Sequence, residues 1–265
     1  MKPERIEILG VPVDCLTMNQ ALEHVDSVLM SGTAHSVVAV NPEKVMKALD
    51  DKRLLERLGR ASVLIPDGIG VVFAARILGL GRFERVPGSE LMPKLCELAA
   101  RKGYRTFLFG AAVDVLASAV ETLRQRYPGI IIAGSQHGFV ADEDMPGLIE
   151  RINSLEVDIL FVALGSPKQE DWIDRYLPLL RVRLCQGVGG TFDVIAGRVK
   201  RAPAAFRAAH LEWFYRLATN PQRIRRQTAL PKFVFEVLKQ RAKHNFILFG
   251  HRTTPKSQPT QRPHS

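Results

Sequence analysis

Short runs of aliphatic and β-branched residues alternate along the chain with longer segments whose apolar side chains recur at helical spacing. The runs Ile6–Val11, Ser36–Val40, Ser62–Ile65, Thr106–Phe109, Gly129–Ala133, Asp158–Leu164 and Arg183–Gly187 predict strands. The segments between them, Asn19–Met30, Glu43–Leu49, Ile69–Leu78, Glu90–Arg101, Val115–Tyr127 and Glu143–Asn153, predict helices. Such an alternation implies an α/β fold with a mainly parallel sheet flanked by helices on both faces. After Gly197 the pattern becomes helical only, over Pro203–Ala218 and Pro221–Lys243, with Asn220 as cap and Pro221 as first residue of the second helix. Residues 252–265 are rich in Pro, Thr, Gln and Ser and predict a disordered tail. The organisation read from the pattern is an α/β domain over residues 1–197, a basic helical appendage over 198–251 and a tail over 252–265.

Charge sharpens that division. Residues 198–265 hold 15 Lys and Arg against Glu212 and Glu236, a net +13, whereas residues 1–197 hold 22 basic and 25 acidic residues, a net −3. A nearly neutral domain with a strongly basic extension points to a polyanionic partner: a phospholipid surface, a nucleic acid or a pyrophosphate-bearing substrate. Cys15, Cys96 and Cys185 are odd in number and widely spaced, which suggests neither a disulfide framework nor a zinc site and fits a reducing cytoplasm. The beginning, MKPERIEILG, has no apolar core of the signal-peptide kind, and no apolar stretch has the length of a membrane span.

In an open α/β sheet ligands bind beyond the carboxyl ends of the strands, where helices begin and backbone N–H groups favour anions. Three predicted strand ends carry polar turns there: Asn41-Pro42-Glu43, Pro66-Asp67-Gly68 and Gly165-Ser166-Pro167-Lys168-Gln169-Glu170. Taken singly each has a structural explanation, since Asn41 and Asp67 suit helix caps and Ser166 with Gln169 matches a capping box. Together they place a carboxylate and two amides on one edge, and Asp67 can accept a proton from a sugar hydroxyl as general base. Glu170 and Asp171 read as solvated first-turn acids that complement a helix dipole. The glycines of Gly187-Val188-Gly189-Gly190-Thr191-Phe192-Asp193 put Phe192 where a dinucleotide fingerprint requires Gly, and no P-loop occurs, so a nicotinamide enzyme or P-loop ATPase is disfavoured. Gly189 suits close approach to a phosphate and Asp193 a sugar or ribose hydroxyl, or both belong to a tight turn and cap. In the basic extension Arg223 and Arg226 share a helix face and suit bidentate contact with a diphosphate, whereas Arg225 and Arg241 read as solvated charges. Leu230, Phe233, Val234, Val237 and Leu238 form an apolar stripe that suits either a membrane interface or packing onto the domain.

These residues resemble a known family. Asn41-Pro42-Glu43-Lys44-Val45, Pro66-Asp67-Gly68-Ile69-Gly70, Glu84-Arg85-Val86-Pro87-Gly88-Ser89-Glu90-Leu91, Ala163–Glu170 and Gly187–Arg226 are similar, in that order, to segments of the WecG/TagA/CpsF glycosyltransferases. The resemblance runs from about residue 5 to 227 and implies a Rossmann-like fold and an inverting, metal-independent transfer without a cofactor. The sugar would pass from a UDP-sugar to a polyprenyl-diphosphate-linked sugar, at the inner face of the cell membrane, in cell-surface polysaccharide or teichoic acid-type biosynthesis. Carried over motif by motif, Asp67 is the expected catalytic base. Asn41, Arg85 and Gln169 are expected to position donor or acceptor, and Arg216, Arg223 and Arg226 to hold the diphosphate from the membrane-associating appendage. Ala39 and Phe139 stand where relatives often carry hydroxyl-bearing residues, which leaves the sugar open among N-acetylmannosamine, its uronic acid and glucose types. The expected partners are the donor, the lipid-linked acceptor and an anionic membrane surface, with a homo-oligomer left open. Nucleic-acid binding is disfavoured because Trp213, Phe214 and Tyr215 are consecutive and point around a helix instead of forming a stacking platform.

Overall fold

A computed structural model describes residues 3–199, Pro203, Phe206 and 229–250. The first apolar run is not one strand. Leu9 and Gly10 take positive φ (53° and 77°) and fold β1 (Arg5–Ile8) back antiparallel on β2 (Val11–Asp14). The other strands are β3 (His35–Val40), β4 (Val63–Pro66), β5 (Arg105–Gly110), β6 (Ile131–Gln136), β7 (Ile159–Ala163) and β8 (Leu184–Gly187). They form a six-stranded sheet in the order β4-β3-β8-β7-β5-β6, with every pairing parallel. The hairpin is pinned to this sheet by Asp14, whose carboxylate pairs with Arg5 at 2.7 Å and accepts the Leu64 N–H at 2.7 Å.

The inner strands are buried on both faces, which is why they read as nearly continuous apolar runs. Along β5, Leu108 enters one core while Phe107 and Phe109 enter another, and along β7 Ile159 and Phe161 oppose Leu160 and Val162 in the same way. One face is covered by α1 (Met18–Leu29), α5 (Gly88–Lys102), α6 (Val113–Arg126) and the short α9 (Thr191–Ile195). The opposite face carries α2 (Pro42–Asp50), α3 (Lys52–Arg60), α4 (Ile69–Leu78), α7 (Met145–Ser154) and α8 (Lys168–Tyr176). No α3 was expected from the pattern. Its run is mostly charged, and only Leu54 and Leu58, four residues apart, are buried.

A last helix, α10 (Ala229–Gly250), lies against α2 and α4. The apolar stripe expected there divides. Phe233 and Val237 are each 1% exposed and belong to the core that also holds the hairpin, α2, α3 and α4, whereas Val234, Phe235 and Leu238 face solvent. Arg241 is half-buried, not the solvated charge expected, and donates to the Leu78 carbonyl at 3.4 Å, at the negative end of α4. No helix among the described residues is long and apolar enough to cross a membrane. Arg216, Arg223 and Arg226, most of the expected helix 203–218, the first part of 221–243 and the tail 252–265 lie outside the described residues.

Candidate active site

Because the strands of the sheet run parallel, the turns leaving β3, β4, β7 and β8 open on one edge, as the sequence requires if its polar turns are to share a crevice. Asn41 caps α2: its backbone is extended and its Oδ1 accepts the Lys44 N–H at 2.9 Å, with Pro42 as the next residue. The neighbouring strand brings Asp67 beside it. The Asp67 N–H donates to the Val40 carbonyl at 2.8 Å, continuing the β3–β4 ladder by one rung past the strand end. Asp67 does not cap α4. That position is taken by Gly68 at φ 120°, where an L side chain is strained, and a Cβ on Gly68 would come within 3.4 Å of Pro42 Cδ. The tight turn thus presses the Asp67 loop onto the Asn41 loop. Arg85 joins them, because the next residue, Val86, donates its N–H to the Pro66 carbonyl at 2.8 Å. The Arg85 guanidinium reaches Glu90 on the first turn of α5 at 3.2 Å.

The other wall is formed by α8 and the loop after β8. Here Ser166 and Gln169 form no capping box: the cap position is Pro167, without a side-chain hydrogen bond. Gln169 is buried instead. Its Oε1 accepts the Gly189 N–H at 3.0 Å, its Nε2 donates to Glu170 Oε1 at 3.0 Å, and a Cβ on Gly187 would lie 2.8 Å from that nitrogen. Only glycine at position 187 lets the amide seat against β8. Asp193, half-buried on α9, lies near Gly190, with a carboxylate oxygen 3.7 Å from where a Gly190 Cβ would sit. Asn41, Asp67 and Arg85 are therefore brought together, Gln169, Gly189 and Asp193 form a second group, and both open on the same edge.

A buried ion pair joins the walls. Lys44 and Glu170, each 5% exposed, meet at 2.6 Å across the carboxyl end of β8. Glu170 is thus not the solvated acid the sequence suggested, whereas Asp171, exposed and paired with Arg57, fits that description. Burial pushes the Glu170 carboxyl up, but the Lys44 ammonium and the hydrogen bonds from Lys44 and Gln169 outweigh it and hold the group below its ordinary value. An unbroken chain of contacts results, running from Asn41 through Lys44, Glu170 and Gln169 to Gly189. Lys44 and Gln186 are buried polar residues that the sequence pattern does not single out. Their signals were a lysine four residues before the buried Ala48 and a lone glutamine inside the apolar run of β8. The thiols of Cys96 and Cys185 are enclosed in the core, where burial pushes their pKa up, which disfavours a thiolate nucleophile at either position. Among the described residues no cluster of three or more His, Cys, Asp or Glu is arranged to hold a metal ion.

Known proteins resemble this chain along most of its length. The sequence profile of the Glycosyl transferase WecG/TagA/CpsF family matches residues 6–246. A protein of Bacillus spizizenii named N-acetylglucosaminyldiphosphoundecaprenol N-acetyl-beta-D-mannosaminyltransferase is 40% identical over 230 residues, covering 82% of this chain and 89% of its own. Staphylococcus aureus proteins of the same name are 36% identical over 241 residues, covering 90% of this chain and 94% of theirs.

Proposed function

Since the chain belongs to the WecG/TagA/CpsF family and is a glycosyltransferase, we propose that it moves an N-acetylmannosamine-type sugar from a UDP-sugar to a polyprenyl-diphosphate-linked N-acetylglucosamine. The observation that carries this reading is the position of Asp67, whose backbone extends the β3–β4 ladder next to the turns of Asn41 and Arg85, on the edge where an α/β sheet binds ligands. The names of the relatives support the acceptor and the sugar.

In the proposed reaction a hydroxyl of the acceptor sugar attacks the anomeric carbon of the donor. Its proton passes to the Asp67 carboxylate, the new glycosidic bond forms on the face opposite the departing UDP, and the donor configuration is inverted. Charge develops on the leaving diphosphate. Arg85 and the Gly189 loop are assigned to meet it, together with Arg216, Arg223 and Arg226, whose guanidinium groups suit bidentate contact with phosphate oxygens and replace a divalent ion. Asn41 spends its Oδ1 on the cap and keeps its amide N–H groups for substrate. Gln169 is proposed to act mainly by fixing the Gly189 loop, since both ends of its amide are engaged there.

A lipid-linked acceptor requires the enzyme to meet a bilayer. The exposed Val234, Phe235 and Leu238 on α10, with Lys232 and Lys239 and the basic residues around them, are proposed to lie against an anionic leaflet. Incubation of purified protein with a panel of UDP-sugars and a short polyprenyl-diphosphate-N-acetylglucosamine tests the reading. UDP release and an acceptor heavier by one N-acetylhexosamine are expected. Transfer only of a sugar without an acetamido group, or only to an acceptor without the diphosphate, would refute the assignment.

A further inference from the structure

A glutamine amide presents a donor at one end and an acceptor at the other, and its direction is set by the partners it meets. Gln169 stands between two partners of fixed sign. The Gly189 N–H can only donate and takes Oε1 at 3.0 Å, while the ionised Glu170 carboxylate can only accept and takes Nε2 at 3.0 Å. Turned the other way, the amide would set its NH2 against the Gly189 N–H and its oxygen against a carboxylate, and both bonds would be lost.

The Glu170 oxygen that accepts from Gln169 also receives the Lys44 ammonium at 2.6 Å, and Lys44 and Glu170 are both 5% exposed. A neutral carboxyl would offer Gln169 a donor as readily as an acceptor, so the direction of the amide depends on the charge that Lys44 keeps on Glu170. Stability alone gives little reason for such a pair, because well-packed apolar side chains in place of two buried charges are often neutral or stabilising. What the amide holds is a turn with little preference of its own. Gly189 sits at φ 53°, Gly190 follows it, and glycine adopts either sign of φ with similar ease, so the shape of the turn depends on what fixes its N–H. On its other side the amide abuts Gly187, where a Cβ would lie 2.8 Å from Nε2, so the seat leaves it no room to shift toward β8.

We propose that Lys44 and Glu170 are positioning residues for sugar transfer: through Gln169 they hold the Gly189-Gly190 turn in the shape that receives the diphosphate of the donor. This role rests on the reaction proposed above, in which the Gly189 loop meets the leaving diphosphate.

Two double variants separate positioning from stability. Lys44→Met/Glu170→Met removes both charges together and leaves no acceptor for Gln169 Nε2, whereas Lys44→Met/Glu170→Gln removes the same charges and keeps a carbonyl oxygen at that place. Both are expected to melt near the wild-type temperature. Affinity for UDP, read by titration calorimetry, is expected to fall roughly 10–100-fold in the first, about what one charge-assisted hydrogen bond contributes, and to return to within about 5-fold of wild type in the second. Adding Gln169→Met to the first should cost less than about 3-fold more, since the pair acts through that residue. UDP affinity unchanged in the first variant, or lost equally in both, would overturn the role and leave the pair as a tie between α2 and α8. Should the first variant fail to fold, Gln169→Glu decides, because it keeps an oxygen toward Gly189 but sets an acceptor against Glu170. A loss of roughly 10-fold or more in UDP affinity is then expected, and binding as tight as wild type would overturn the role. A wild-type protein without affinity for UDP would instead overturn the proposed donor, and this role with it.

Discussion

Lys44 and Glu170 come from elements 126 residues apart in sequence and meet in a nearly dry environment, so neither tolerates losing the other. Removing one partner of a buried ion pair typically costs about 3–5 kcal/mol. Lys44→Met is expected to lower stability at neutral pH by that order, and its pH dependence carries the sharper prediction. In the wild type the folded-state pKa of Glu170 lies below its ordinary value, so the stability it contributes is present above the unfolded pKa and is lost as pH falls through the folded one. With Lys44 gone, burial is opposed only by the hydrogen bonds from Gln169 and Ser166, so the folded pKa rises. The variant's Glu170 then contributes less to stability above its unfolded pKa than the wild type's does. Melting curves from pH 4 to 8 should therefore show the gap between wild type and Lys44→Met narrowing toward acid. A gap constant with pH would mean that the carboxylate is not held ionised by Lys44. The sequence offered little warning of this pair, since a glutamate in the first turn of a helix is ordinarily wet, and its burial depends on α2 arriving from another crossover. The place of Asp67 just beyond β4 was legible because local pattern marks where a strand ends.

At the scale of elements, α10 combines two tasks that the sequence pattern left as alternatives. Phe233 and Val237 close the core over α2 and α4, and Val234, Phe235 and Leu238 point away from it. Phe233→Ala is expected to destabilise the fold by about 3–5 kcal/mol, seen as a lowered denaturation midpoint, because it empties a fully buried aromatic site. Leu238→Asp should leave the midpoint nearly unchanged while weakening sedimentation with vesicles of anionic lipid. An unaltered vesicle affinity would remove this face of α10 from membrane contact. The inner sheet strands could be read from sequence because burial on both faces makes them nearly uniformly apolar, whereas the edge strand β6 is only partly buried and runs past the expected Ala133 to Gln136. The hairpin could not, since Ile6–Val11 is one apolar run and only the positive φ values of Leu9 and Gly10 break it. For α3 the apolar signal was just Leu54, Leu55 and Leu58 among charges, too sparse to define a helix without the core it covers.

For the whole molecule, charge and topology point the same way. The parallel sheet gathers its polar turns on one edge, and the basic residues concentrate after residue 197, with a net +13 against −3 before it. Attraction to an anionic leaflet, about 1 kcal/mol per basic residue near the surface, should make vesicle binding fall steeply between low and high salt. Binding that ignored ionic strength would assign it to the apolar face alone. Catalysis is expected to survive excess EDTA, because Arg85, Arg216, Arg223 and Arg226 are proposed to neutralise the leaving diphosphate. Activity lost on chelation and restored by magnesium or manganese would show that these cations do not suffice. The proposed reaction depends on Asp67 as the group that takes the acceptor's proton. Asparagine has the same shape and cannot take that proton, so its single-turnover rate is the most direct measurement. With UDP-N-acetylmannosamine and lipid-linked N-acetylglucosamine both saturating, Asp67→Asn should bind donor normally, melt near the wild-type temperature and turn over roughly 10²–10⁴-fold more slowly. A rate within a few-fold of wild type would contradict it.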